Sequence, residues 1–238
     1  MFEVFPDRQV GETFIINGKD AYQTFEADLI SFVVTPGAIT TETHQEPASP
    51  AFRCYSHKLA PRIVTVSLFV HGDTFDQLEI NKSNLLEECR QCVLKTGDMT
   101  GLEYDSVLTN ALSEETGIDC NHKVTLDFTS VQRGVLQTVT LSASGTVNNS
   151  GNASSPCRYT ITAASALSSF TINGITVTGI KKNTPFVIDG ILGKVTENGE
   201  NKWNQTDLVS FPALLPGENS ITFSPAASVK VEYYPLYR

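Results

Sequence analysis

Residues 170–203 read FTINGITVTGIKKNTPFVIDGILGKVTENGENKW. Phe170, Thr171 and Ile172 run into Asn173-Gly174, and Ile175, Thr176 and Val177 lead out again. Lys194, Val195 and Thr196 then run into Asn198-Gly199 and on towards Trp203. Asn-Gly between β-rich runs is a hairpin signal with a mechanism. The two-residue turn that matches strand twist needs positive φ at both central positions, and Asn and Gly tolerate it. Phe186, Val187, Ile188 and Asp189 form a further short strand between the two hairpins. A stretch punctuated this closely builds sheets rather than helices.

Reading outward, residues 211–238 are FPALLPGENSITFSPAASVKVEYYPLYR. Pro216-Gly217 marks a turn. Ile221 and Phe223 alternate on one strand, and Val229, Val231 and Tyr233 share a face on the next; the two are expected to pair as a closing hairpin. Upstream, residues 157–161 and 135–141 also read as strands. About seven short strands in roughly 85 residues predict a compact β-sandwich. The tract SASGTVNNSGNASSP, residues 142–156, reads as a linker or a wide surface loop. The division expected is a first domain over 1–137 and a sandwich over 138–238.

The first domain begins as strands too. Phe14, Ile15 and Ile16 meet Asn17-Gly18, another hairpin signal. Residues 29–34 form an apolar strand stopped by Pro36-Gly37. Residues 38–60, AITTETHQEPASPAFRCYSHKLA, are long, polar and proline-bearing, which predicts an extended arm or loop outside the core. IVTVSLFV, at 63–70, predicts an interior strand. From Phe75 to about Cys92 the period becomes helical, through Phe75, Leu78, Leu85, Leu86, Cys89, Cys92 and Val93. Asp73 or Thr74 would cap this one long helix and Gly97 would stop it. Residues 102–112 fit either a strand or a helix, with a strand around 104–108 the reading taken; a turn is expected at 114–117 and a half-buried strand at 123–128. The fold class is therefore mainly β with one long helix.

The 238 residues carry a net charge of −9, with a pI near 4.9. Residues 1–137 hold 20 acidic and 10 basic side chains, and residues 138–238 hold 6 and 7. This balance argues against binding of nucleic acid or anionic membrane through a basic patch. No signal peptide and no apolar run of membrane-spanning length is evident. Five cysteines without framework spacing point to free thiols in a reducing cytoplasm. The Asn-x-Ser/Thr triplets at Asn81, Asn148, Asn152 and Asn204 are then chance matches.

Candidate chemistry is sparse. Cys89-x-x-Cys92, with Cys54-x-x-His57 and Cys120-x-His122, could suggest a metal or redox site. ECRQC lacks the tight turn of a zinc knuckle, and the pair falls on one face of the expected helix, where cysteine acts as a small hydrophobe. His71 and Asp73 read as a strand-to-helix turn rather than a base with its orienting acid. Glu87-Glu88 and Glu114-Glu115 are sequence neighbours that point apart, so they make no acid–base dyad. No nucleophile elbow, metalloprotease motif or phosphate loop is present. No catalytic residue, metal ligand or cofactor is expected. Trp203 could serve as a sugar-stacking platform or pack the edge of its own sandwich.

Several of these residues together resemble the distal tail proteins of long-tailed phages. In the second half they are Ser150-Gly151-Asn152, Pro156, Tyr159-Thr160-Ile161-Thr162, Ile188-Asp189, the following Asn-Gly turn, Trp203, and Phe211-Pro212-x-Leu214-x-Pro216-Gly217-x-Asn219-x-Ile221. In the first half they are TFIINGKDAYQTFEADL, at 13–29, and IVTVSLFVHGD followed by one helix. The resemblance covers most of the chain.

The resemblance implies a ring-forming N-terminal domain, a β-sandwich plus helix with the arm at 38–60, followed by a galectin-like sandwich. It implies a homohexamer at the phage tail tip, made in the host cytoplasm. One face would join the tail tube protein and the other the tail-associated hub or lysin protein. Receptor-binding or baseplate proteins would attach at the periphery, and DNA would pass through the lumen without specific binding. An acidic lumen would repel that DNA. The alternative is a carbohydrate-binding module that uses the C-terminal sandwich.

Overall fold

The structure is a computed structural model that describes residues 13–45 and 52–238. The chain divides into two compact units, Met1–Gln132 and Arg133–Tyr237. Among the described residues no helix is long and apolar enough to cross a membrane.

The first unit contains β1 (Phe14–Ile16), β2 (Lys19–Asp20), α1 (Ala21–Phe25), β3 (Ala27–Thr35), β4 (Ile39–Gln45), β5 (Phe52–Leu59), β6 (Arg62–His71), α2 (Phe75–Cys89), β7 (Gln91–Thr96) and β8 (Leu102–Glu115). β9 (Asn121–Gly134) follows. The main sheet runs in the order β2-β1-β7-β8-β9-β6-β3. β6 lies inside it, paired with β3 and β9. Its Val64, Val66, Leu68 and Val70 are fully buried, because period-2 alternation sends them to one face. α2 packs Leu78, Leu85 and Cys89 into the same core. Thr74, rather than Asp73, caps it: Thr74 Oγ1 accepts the Gln77 N–H at 3.2 Å. A short helix, α1, was not expected; Asp20 Oδ1 caps it by accepting from Tyr22 and Gln23.

Three expectations are corrected in this unit. The long helix ends at Cys89, and Cys92 and Val93 belong to β7. Cys92 fits both a helical step of three from Cys89 and a strand step of two to Leu94. Pairing of β7 with β1 and β8 decides for the strand. The expected turn at 114–117 is strand as far as Glu115; the reversal comes later, with Gly117 and Cys120 at φ 76° and 56°. The polar stretch at 38–60 lies outside the core as an arm, but it is not a loop: β4 and β5 pair in a sheet of their own, with residues 46–51 outside the described residues.

The second unit contains β10 (Gln137–Leu141), β11 (Gly145–Asn149), β12 (Ser155–Thr162), β13 (Leu167–Ile172), β14 (Ile175–Ile180), β15 (Phe186–Asp189), β16 (Lys194–Glu197) and β17 (Glu200–Asn201). A 3-10 turn (Trp203–Gln205), β18 (Ala213–Leu214), β19 (Gly217–Ile221), β20 (Phe223–Ser224), β21 (Ser228–Tyr233) and β22 (Leu236–Tyr237) complete it. One sheet has the order β10-β21-β12-β15-β16-β17, with β18 beside β12. The smaller sheets are β11-β19 and β14-β13-β20. Val147, Tyr159, Ile161, Phe170, Phe186, Ile188, Ile221 and Val231 from all three form one core, which makes the unit a sandwich.

Two expectations are corrected here. Residues 211–238 do not close on themselves as a hairpin: β19 pairs with β11, β20 with β13, and β21 lies between β10 and β12. Alternation reports which face a residue takes, but not which strand lies beside it. The tract at 142–156 is not a linker. It holds β11, with Val147, Asn149 and Ser155 buried. Its buried polar side chains are hydrogen-bonded within the protein. Asn149 Nδ2 donates to Ala153 O, Ser155 Oγ and Leu214 O at 3.1–3.2 Å, and its Oδ1 accepts from Gly151 N at 3.0 Å.

Candidate functional site

The turn residues read from the sequence occupy tight reversals. Asn17-Gly18, Asn173-Gly174 and Asn198-Gly199 all take positive φ, and Gly217, after Pro216, has φ 86°. Two of these asparagines also bridge distant elements. Asn17 Nδ2 donates to Glu88 Oε1 at 2.7 Å, and its Oδ1 accepts the Val93 N–H at 2.9 Å. Asn173 Oδ1 accepts the Thr222 N–H at 2.8 Å, linking β13–β14 to the chain before β20. Asn219 organises the Pro216-Gly217 turn: its side chain bonds Leu215 N, Leu215 O and Gly217 O, each at 2.8 Å.

The reactive side chains do not converge. Cys89 and Cys92 are both buried, and Cys92 Sγ donates to Cys89 O. The Cys92 contact and burial push the Cys89 thiol far above its ordinary range. Burial pushes Cys157 up to about 12. Cys54 is exposed on β5; the side chain of His57 lies outside what is described. His122 Nδ1 accepts from Lys82 Nζ at 3.0 Å. His71 faces Asp28 at 3.9 Å rather than Asp73. Glu88 pairs with Lys19 at 2.6 Å and Glu87 with Arg90 at 3.1 Å. Among the described residues no three metal-ligating side chains cluster.

The surfaces with something to offer lie elsewhere. On the first unit, β3 ends the main sheet, so its outer backbone edge is unpaired among the described residues. It exposes Ile30 and Val33, with Ile63 close by on β6 and Ile39 at the root of the hairpin. That root is tight: Ala60 N–H bonds Ala38 O at 2.9 Å, and a Cβ on Gly37 would collide with Ala60 O.

The outer face of the larger sheet in the second unit carries a row of alternating charge. Glu232 lies opposite Arg158, Arg158 opposite Asp189, and Asp189 opposite Lys194. Arg158 Nε meets Asp189 Oδ2 at 2.8 Å, and Asp189 Oδ1 accepts the Ile191 and Leu192 N–H groups. Beside this row stands Trp203, 48% exposed, its ring 5.6 Å from that of Phe211. It edges a groove with Lys194, Thr196 and Asn201. Trp203 was legible as an aromatic of interest; the residues around it were not, because the β16–β17 register assembles them.

Comparison of the sequence with curated proteins finds no match. Residues 150–237 match the family model described as siphovirus-type tail component, C-terminal domain. Among solved structures the chain is similar to the Dit (gp 19.1) protein of SPP1, described as a paradigm of hub adsorption apparatus in phages that infect Gram-positive hosts. The identity is 15%, the TM-score 0.71, and 95% of this chain and 99% of that one are covered. A chain of the phage p2 baseplate in its activated conformation with Sr is also similar, at 8% identity and TM-score 0.59, over 92% of this chain and 97% of that one. The same baseplate with Ca gives 8% and 0.55, over 87% and 90%. The resemblance to distal tail proteins thus holds at two levels: the C-terminal segment matches the siphovirus-type tail component model, and the chain has the fold of the SPP1 Dit protein.

Proposed function

We propose that the chain is a structural virion protein: a distal tail adaptor whose homohexameric ring joins the tail tube to the tip or baseplate hub and carries peripheral host-recognition components. Its role is mechanical rather than catalytic. The observation that carries this reading is the match of residues 150–237 to the siphovirus-type tail component. The likeness of nearly the whole chain to the SPP1 hub protein supports it.

A ring needs two different patches on each subunit, one to give and one to receive. The β4–β5 hairpin is a suitable donor, and the unpaired edge of β3 with Ile30 and Val33 a suitable acceptor, since an open strand edge adds further strands readily. The excess of acid in residues 1–137, 20 against 10, suits a lumen that DNA must not stick to. A ring with a neutral or basic lumen would contradict that last point.

Deleting residues 38–60 tests the arm. The ends left by the cut, Gly37 and Pro61, lie side by side, since a Cβ on Gly37 would stand 2.5 Å from Pro61 O, so they can be joined directly or by a short link. The expected product is a folded monomer that no longer assembles, measured by sedimentation. Rings that persist without the arm would refute its role.

A further inference from the structure

Trp203 is the single tryptophan of the chain. The Phe211 ring, tilted 53° to it, supports one side of the indole. Asn201 Oδ1 accepts the Trp203 N–H at 2.9 Å and holds its backbone. The ring borders an open groove of about 370 Å³, lined also by Lys194, Thr196 and Asn201 with Gly193 and Gly199. A Cβ at Gly199 would meet nothing within 4 Å, so the groove is open at that end. Thr196 lies opposite Asn201, and Lys194 shares its face of β16 while Val195 turns into the core.

The polar ends in this groove are uncommitted. Among the described residues Lys194 has no ion pair, the Thr196 hydroxyl has no hydrogen bond, and the Asn201 amide donor is unused. No acidic side chain lines the groove among the described residues. One fixed aromatic face with hydroxyl, amide and ammonium groups around it matches a sugar ring. The C–H face of a pyranose meets the negative face of the indole, and its hydroxyls take the polar groups.

We propose that this groove is a saccharide site. A pyranose stacks on Trp203 and hydrogen-bonds to Thr196 and Asn201, and Lys194 receives an acidic substituent such as a uronic carboxylate. The site lies wholly in the second unit and does not depend on tail assembly.

Because Trp203 is alone, intrinsic fluorescence reports on this site only. The full chain is screened on an array of neutral and uronic-acid pyranosides, and the tightest acidic glycan and its neutral counterpart are then titrated. A shallow site of this kind binds at roughly millimolar concentration. We expect a saturable fluorescence change, stronger for the acidic glycan. By calorimetry, Trp203→Ala weakens binding at least about tenfold, and Lys194→Ala abolishes the preference for acid. Trp203→Ala also loses its contact with Phe211, so Thr196→Val and Lys194→Ala serve as variants that keep the aromatic pair, with thermal melts as the folding control. The proposal is overturned if no array member gives a saturable change, or if binding survives all three substitutions. A blue shift that grows with protein concentration in the absence of sugar would show a second copy covering the ring, and would overturn it too.

Discussion

Asn17 does two jobs in one side chain. It accepts φ 51°, which most residues resist, and it ties the β1–β2 turn to the end of α2 and to β7 through Glu88 and Val93. Asn17→Ala should lower stability by about 1–2 kcal/mol in denaturant unfolding, while Asn17→Gly, which keeps the turn, should lose less. Glu88 extends the same contact. The hydrogen bond from Lys19, and then that from Asn17, lowers its pKa below 4.5. A lowered carboxylate pKa stabilises the fold fully above the unfolded value and less as pH falls through the folded one. The stability gap between the wild type and Glu88→Gln should therefore narrow as pH is taken from 7 to about 3; a constant gap would show that the charge is irrelevant. At this scale the sequence was readable. Asn-Gly is local backbone chemistry, so the turns at 17, 173 and 198 could be placed without knowing their neighbours. The partners of those asparagines, 49 to 76 residues away, could not.

Elements were readable by type and less so by boundary or pairing. Strand alternation in β6 and β9 and the helical period of α2 survive because each buries one face. The outer half of β8 and the described side chains of β4 are exposed on both faces, so no period marks them. β11 and the residues after it were misread for the opposite reason: the Ser/Asn/Gly tract looks like a solvent loop, but Asn149 and Ser155 are buried and bond to backbone. Asn149→Ala leaves the Ala153 and Leu214 carbonyls and the Gly151 N–H without that partner. It should cost about 2–3 kcal/mol, read as a lower melting temperature of the second unit. A neutral substitution would return the tract to loop status. Gly190 makes a similar point, since a Cβ there would stand 2.5 Å from Pro212 O and 2.6 Å from Cys157 O. Pro212 and Cys157 of β12 approach Gly190, just past the end of β15, so closely that only glycine fits.

For the molecule as a whole, two units with separate cores carry two kinds of surface. The first offers a hairpin and an open strand edge, which suit self-assembly; the second offers a polar sheet face with one exposed tryptophan. The acidic composition argues against a binder that works by a basic patch, and among the described residues no three Cys, His or acidic side chains come together as a metal site. What composition could not supply is symmetry, because one chain shows only half of any interface. Single-particle electron microscopy of the purified chain, with its mass from sedimentation, tests the adaptor reading most directly. The account predicts a six-fold ring of about 155 kDa, six copies of 25.9 kDa. A particle that stays monomeric at every concentration, or closes as a two-fold dimer, would contradict it.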